Sequence, residues 1–187
     1  MGLHMKIHST PIHGVKVVES SRNTDHRGGF GRLYCERELE SVIGNRRIVQ
    51  INHSRTAAAG AIRGMHFQRP PNAEMKLVRC LKGRVWDVAV DLRTNSLTFL
   101  TWYAEELTPE NARMLVIPEG CAHGFQVVEP DSELLYLHTA YYTPQAEDGI
   151  RHDDPRVGVE WPLRVTDISV RDAGHPMIGP DFRGIDA

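Results

Sequence analysis

The stretch Ala61-Ile-Arg-Gly-Met-His-Phe-Gln68 sets a guanidinium (Arg63), an imidazole (His66) and an amide (Gln68) close together. Imidazole is the side chain best suited to move a proton near neutral pH. A cation such as Arg63 or Lys76 can hold a developing oxyanion or a phosphate. On a strand, His66 and Gln68 point to one face. A polar, charged face of this kind calls for partners or a ligand, because charges are rarely buried without them. The plain alternatives are an exposed polar edge strand and a structural histidine. Tyr136 and Tyr142 add two phenols, six residues apart and so on one face if the apolar run of residues 133–142 is a single strand.

The ten histidines raise the question of a metal. Small β-folds that bind metals commonly offer two His in an HxH pattern with a carboxylate and a further His. Here the same-face neighbours of His66 are Gly64 and Gln68, and His123 stands alone in Gly120-Cys-Ala-His-Gly-Phe125. A metal site would have to be assembled from His66, His123 and a carboxylate. The expectation is no bound metal and no cofactor, with His66 a general base. His4, His8, His13, His152 and His175 read as loop or terminal residues without a site role.

Strands must carry these groups. Residues 16–19, 47–53, 75–81, 84–92, 97–107, 113–117, 124–128 and 133–142 read as extended, with turn residues at short intervals. The clearest hairpin is residues 75–92 about Lys82-Gly83. Residues 23–29 read as a loop. The best helix is residues 35–43, where Leu39, Val42 and Ile43 fall at helical spacing and Gly44-Asn45 would stop it. About eight strands with little helix predict an all-β jelly-roll sandwich or barrel.

The 187 residues suffice for one domain with a substantial core, assigned to residues 6–187. Residues 1–5, with a second Met at position 5, read as a cloning remnant. A net charge of −2 provides no field for wholesale attraction of nucleic acid or an anionic membrane, so neither is an expected partner. No apolar run approaches the ~20 residues of a helical membrane span. Three widely spaced cysteines, Cys35, Cys80 and Cys121, include no CxxC pair and fit a reducing cytoplasm.

The joint pattern carries more than any single motif. Asp25-His-Arg-Gly-Gly-Phe30, Gln50-Ile-Asn52, Arg63-Gly-Met-His-Phe-Gln68, Lys76, Pro118-Glu-Gly-Cys-Ala-His-Gly-Phe125, Tyr136, Tyr142-Thr-Pro144, Asp154-Pro155 and Trp161-Pro162 occur in that order. Together they resemble the dTDP-4-dehydrorhamnose 3,5-epimerase family over nearly the whole chain. The resemblance implies a cupin-like jelly roll, a homodimer, and a nucleotide-diphosphate sugar as substrate. It implies cofactor-independent epimerisation of a 4-keto-6-deoxyhexose through an enolate.

By the same resemblance His66 is the base and Asp172 the carboxylate that fixes its tautomer. Tyr136 is the acid that returns a proton from the opposite face, and Lys76 is the cation beside the C4 oxygen. His123 contacts the sugar. Arg27 and Arg63 lie near the diphosphate and nucleotide, Tyr142 stacks on the base, and Gln50 and Glu147 contact nucleotide or substrate. Phe30 and Asn52 belong to the matched motifs and are counted with the binding residues. The 27–30 region would serve the partner subunit's site.

Four positions depart from the family pattern. Arg32 stands for a usual Glu, Ile51 for a frequent Asp, Arg171 for a Lys and Cys121 for a Phe. Arg32, Ile51 and Arg171 fall where the family contacts nucleotide or phosphate, which leaves open a CDP- or GDP-linked sugar, or inversion of one carbon only. A metal-binding or non-catalytic cupin is the remaining alternative.

Overall fold

The computed structural model describes residues 2–187; Met1, part of the remnant assigned to residues 1–5, lies outside the described residues. The first half of the chain forms β1 (Met5–Ser9), β2 (Lys16–Ser20), β3 (Arg22–Asp25), β4 (Gly28–Gly31), α1 (Glu36–Ile43), β5 (Gln50–Thr56), β6 (Ile62–Gln68) and β7 (Lys76–Lys82). The second half forms β8 (Val85–Asp91), β9 (Trp102–Leu107), β10 (Arg113–Ile117), β11 (Cys121–Val127), β12 (Ser132–His138), β13 (Glu147–Gly149) and α2 (Val170–Ala173). Met5, set aside above, opens β1 opposite Ser20 and donates its N–H to Glu38.

A six-stranded sheet, ordered β1-β2-β10-β7-β12-β5, faces a five-stranded sheet, ordered β13-β6-β11-β8-β9. The sheets do not close on each other, so the jelly-roll expectation resolves to a sandwich rather than a barrel. Apolar layers lie on both faces of both sheets. Between them pack Val17, Val78, Leu115 and Leu134 from one sheet against Val85, Ala89, Phe125 and Val127 from the other. Outside the larger sheet, Leu39 and Ile43 of α1 cover Val18, Leu77, Met114 and Val116. Outside the smaller, Trp161, Ile178 and Phe182 of the C-terminal segment cover Phe67, Val88 and Val90. Central strands buried on both faces lose apolar–polar alternation, which is why Val88-Ala89-Val90 is uniformly inaccessible.

Helix α1 matches the sequence reading, with Cys35 at its N-cap and Gly44 at its C-cap. Three other local readings do not. The strands of the expected hairpin, β7 and β8, do not pair: β7 lies between β10 and β12, and β8 between β11 and β9. Gly83, at φ 76°, carries the chain from one sheet to the other where an added Cβ would lie 2.4 Å from Ser132 Oγ. Residues 23–29 are not a plain loop but most of an exposed ribbon, β3 paired with β4. The run of residues 133–142 ends as a strand at His138, so Tyr142 does not share a strand face with Tyr136.

Candidate active site

The space between the sheets is apolar at one end and polar at the other. At the polar end β7 and β12 of the larger sheet present Lys76, Tyr136 and His138, while β6, β8 and β11 of the smaller present His66, Asp87 and His123. They line or back a cavity of about 920 Å³. Register explains why Arg63 joins them despite its odd spacing from His66. His123 lies opposite His66 but Phe125 lies opposite Arg63, so β6 carries one extra residue there. Such a bulge reverses the alternation of side chains and returns Arg63 to the pocket face.

Gly64, in the bulge, has φ 128°, and a Cβ there would lie 2.5 Å from Gly124 Cα. Its N–H donates to Asp172 Oδ2 at 3.1 Å. The other carboxylate oxygen is 2.8 Å from His66 Nε2. Ser169 caps α2 by accepting the Asp172 N–H, which fixes the carboxylate's backbone. Burial opposes ionisation of Asp172, but the bonds from His66, Gly64 and Ser169 and the nearby imidazole hold its carboxyl far below the usual range. An ionised carboxylate accepts, so Nε2 carries the proton and Nδ1 is left as the basic nitrogen. Arg171 Nη2 stands 3.2 Å from the same Nε2, a close cation rather than a second bond because both groups are donors. Its charge is shared with Glu147, 2.9 Å from Nη1, to which the Tyr142 hydroxyl also donates at 2.8 Å.

Across the cavity, the Tyr136 hydroxyl bonds only Ser54 Oγ among the described residues, at 3.2 Å, and burial pushes its phenol well above the ordinary value. A phenol held protonated is suited to act as an acid. Lys76 Nζ lies 3.3 Å from both the His66 carbonyl and Glu74 Oε1. An ammonium has three protons, so one remains for a pocket ligand. His123 Nε2 is 2.8 Å from Asp87 Oδ1; Asp87 Oδ2 has no partner among the described residues, and burial raises this carboxyl. Arg63 Nε donates to Thr56 Oγ1 at 2.9 Å.

Among the residues read from sequence, His66, Lys76, Asn52, Arg63, His123, Tyr136, Tyr142, Glu147, Arg171 and Asp172 line this one pocket. Gln50 stands behind it, its side-chain oxygen accepting the Tyr142 N–H at 3.1 Å. Arg27, Phe30 and Arg32 lie away from it: Arg27 pairs with Asp25 on the β3–β4 ribbon, Phe30 is 70% exposed there, and Arg32 pairs with Glu38 of α1. Of the departures, Ile51 is exposed at the pocket and Cys121 is buried in the core between the sheets.

Sequence reasoning missed Glu74, Asp87, His138 and His175. Asp87 was findable, since alternation along Val85–Asp91 sets it on the face of Val85 and Ala89. His175, read as a tail residue, has its ring centroid 6.0 Å from that of His66. With His66 and Asp172 it offers three ligand atoms within 4.8 Å of one another, a different grouping from the His66–His123 set that the sequence suggested. His138 and Glu74 carry no local signal and meet only through strand register.

The family model described as dTDP-4-dehydrorhamnose 3,5-epimerase matches residues 9–179. The dTDP-4-dehydrorhamnose 3,5-epimerase of Salmonella typhimurium is 42% identical over 176 residues, 93% of this chain and 96% of that protein. A dTDP-6-deoxy-D-glucose-3,5-epimerase of Legionella pneumophila, solved with dTDP-4-keto-L-rhamnose, superposes with a TM-score of 0.88 at 38% identity, over 93% of each chain. A 3'-monoepimerase from Streptomyces bikiniensis, solved with dTDP-quinovose, gives a TM-score of 0.85 at 28% identity, over 91% of this chain and 86% of that one.

Proposed function

Because this chain belongs to the dTDP-4-dehydrorhamnose 3,5-epimerase family, we propose that it inverts C3, C5 or both of a dTDP-linked 4-keto-6-deoxyhexose, with His66 as base and Tyr136 as acid. The observation that carries the mechanism is their placement on facing sheets: His66 on β6 of one, Tyr136 on β12 of the other. Packed sheets stand about 10 Å apart, room for a sugar ring between them. Inversion needs two proton-transfer groups on opposite sides of a planar carbon.

The steps balance without a change of oxidation state. His66 Nδ1 takes the proton next to the C4 ketone, and the C–H electron pair moves onto the C4 oxygen as an enolate. Asp172, accepting from Nε2–H, stabilises the imidazolium as it forms. The third proton of Lys76 meets the enolate oxygen, where a preorganised cation in a dry site has its largest effect. Tyr136 then delivers its phenolic proton to the other face of the carbon. At the mouth, Tyr142 is placed to stack on the nucleobase, with Arg63 and Arg171 toward the diphosphate.

A homodimer belongs to this proposal. It would give a use to Arg27 and Phe30, which sit on an exposed ribbon away from their own pocket. Light scattering on the purified protein tests it, and a monomer would contradict it. A reducing cytoplasm is the proposed setting; it accords with three free cysteines, two of them buried. Among the described residues no helix is long and apolar enough to cross a membrane.

Heavy-water incubation tests the activity. Deuterium is expected at C3, C5 or both of dTDP-4-keto-6-deoxyglucose, and the product's configuration reports how many centres invert. Absence of exchange with the dTDP-, CDP- and GDP-linked sugars would sink the proposal.

A further inference from the structure

A third carboxylate–imidazole pair, after His66–Asp172 and His123–Asp87, lies beside Lys76 and Tyr136, and the steps above leave it unused. His138 closes β12 on its inner face, two residues from Tyr136 and directly across from Lys76 of β7. Its Nδ1 is 2.8 Å from Glu74 Oε2, and the other Glu74 oxygen is 3.3 Å from Lys76 Nζ. Asn52 Nδ2 lies 3.4 Å from His138 Nε2. An amide NH2 can only donate, so Nε2 accepts and Nδ1–H is given to Glu74. The Glu74 and His138 side chains are 7% and 11% exposed. Burial opposes ionisation of Glu74, but the His138 bond and the Lys76 charge hold its carboxyl below the usual range.

Each member of the pair restrains a group with a role in the chemistry. Glu74 is the only carboxylate bonded to Lys76 among the described residues, and with the His66 carbonyl it directs the ammonium's remaining proton. The Tyr136 ring is stacked on His138, with centroids 6.1 Å apart and planes at 18°, and meets His123 edge-on at 6.1 Å. Offset stacking at such a separation favours one ring plane over others. The hydroxyl itself is held by one hydrogen bond among the described residues, to Ser54 Oγ at 3.2 Å, while the edge of His123 and the apolar core meet other parts of the ring.

We infer that Glu74 and His138 are positioning residues for the two halves of the reaction: Glu74 aims Lys76 at the enolate oxygen, and the His138 ring holds Tyr136 in the plane from which it protonates carbon. This rests on the roles proposed above for Lys76, Tyr136 and His66. Loss of the His138 ring loosens the acid and leaves the base intact. The enolate then forms at its usual rate but is reprotonated from the His66 side, giving exchange without inversion. Loss of the Glu74 charge leaves substrate binding intact and slows enolate formation.

Deuterium incorporation and inverted product are measured separately by NMR for His138→Leu, His138→Phe and Glu74→Gln, with dTDP-4-keto-6-deoxyglucose in heavy water. For His138→Leu the ratio of exchange to inversion is expected to rise roughly tenfold or more, a fraction of what a general acid contributes. His138→Phe keeps the aromatic platform, and its ratio should stay within about threefold of the unsubstituted protein. Glu74→Gln should lower kcat roughly tenfold with KM within about twofold, as for an interaction made only in the transition state. Exchange and inversion falling in parallel in His138→Leu, or an unchanged ratio, would overturn the role of His138. An unchanged kcat in Glu74→Gln would overturn that of Glu74. Absence of exchange by the unsubstituted protein is a different result, and it overturns the reading of the site itself.

Discussion

Asp172→Asn tests whether the carboxylate behind His66 drives the chemistry or merely supports the fold. The carboxylate accepts from His66 Nε2 at 2.8 Å and from Gly64 N–H at 3.1 Å, one oxygen to each. An asparagine offers one oxygen and one NH2, so either orientation sets a donor against a donor. If the NH2 faces Gly64, a buried N–H is left unpaired at a cost of about 1–3 kcal/mol. If it faces His66, the imidazole takes the other tautomer and Nδ1 gains the proton that it was meant to accept. Either way the charge that stabilises the imidazolium is gone. With charge centres about 4 Å apart and an effective dielectric near 20, that interaction is worth about 4 kcal/mol. The corresponding loss is roughly a thousandfold in rate. The assay is deuterium wash-in under saturating substrate, with circular dichroism to show that the variant is folded. A folded Asp172→Asn protein that exchanges within about tenfold of the unsubstituted rate would refute the electrostatic reasoning.

Three further outcomes follow from the geometry. Gly64→Ala places a Cβ 2.5 Å from Gly124 Cα and 2.9 Å from the His123 carbonyl, at a φ of 128°. It should cost more than about 3 kcal/mol in urea unfolding, and a loss under about 1 would contradict the packing. Asp91 is buried, which disfavours its charge, yet bonds from Arg93, Ser96 and Thr98 bring its carboxyl down to about 2. That lies below the unfolded value of about 3.9, so its stabilisation is present above about pH 4 and is lost as pH falls toward 2. Asp91→Asn should therefore lower the urea midpoint at about pH 6 and differ less from the unsubstituted protein near pH 3; an equal gap at both would contradict the assignment. Arg171→Ala removes an exposed cation at the pocket mouth and should weaken dTDP binding about tenfold by calorimetry. Unchanged affinity would place the diphosphate elsewhere.

Much of this architecture can be read from the chain because its causes are local. The helix of residues 36–43 is legible since capping and spacing act within two turns. His66 and Lys76 are legible as chemistry because polar groups interrupt strands that are otherwise apolar. The β7–β8 crossover is not, because the turn at Gly83 looks alike whether the strands pair or part. A strand buried on both faces does not name its neighbours. The Glu74–His138 pair joins residues 64 positions apart, and only the β7–β12 register brings them together. The bulge at Gly64 hides in the same way, since it shows only as a slip between β6 and β11.

The central claim is that His66 removes the proton next to the ketone. Its most direct test is His66→Ala, assayed for deuterium incorporation into dTDP-4-keto-6-deoxyglucose after circular dichroism shows an intact fold. Exchange at both C3 and C5 should be abolished. Exchange persisting at the rate of the unsubstituted protein would contradict the claim and assign the base to another residue.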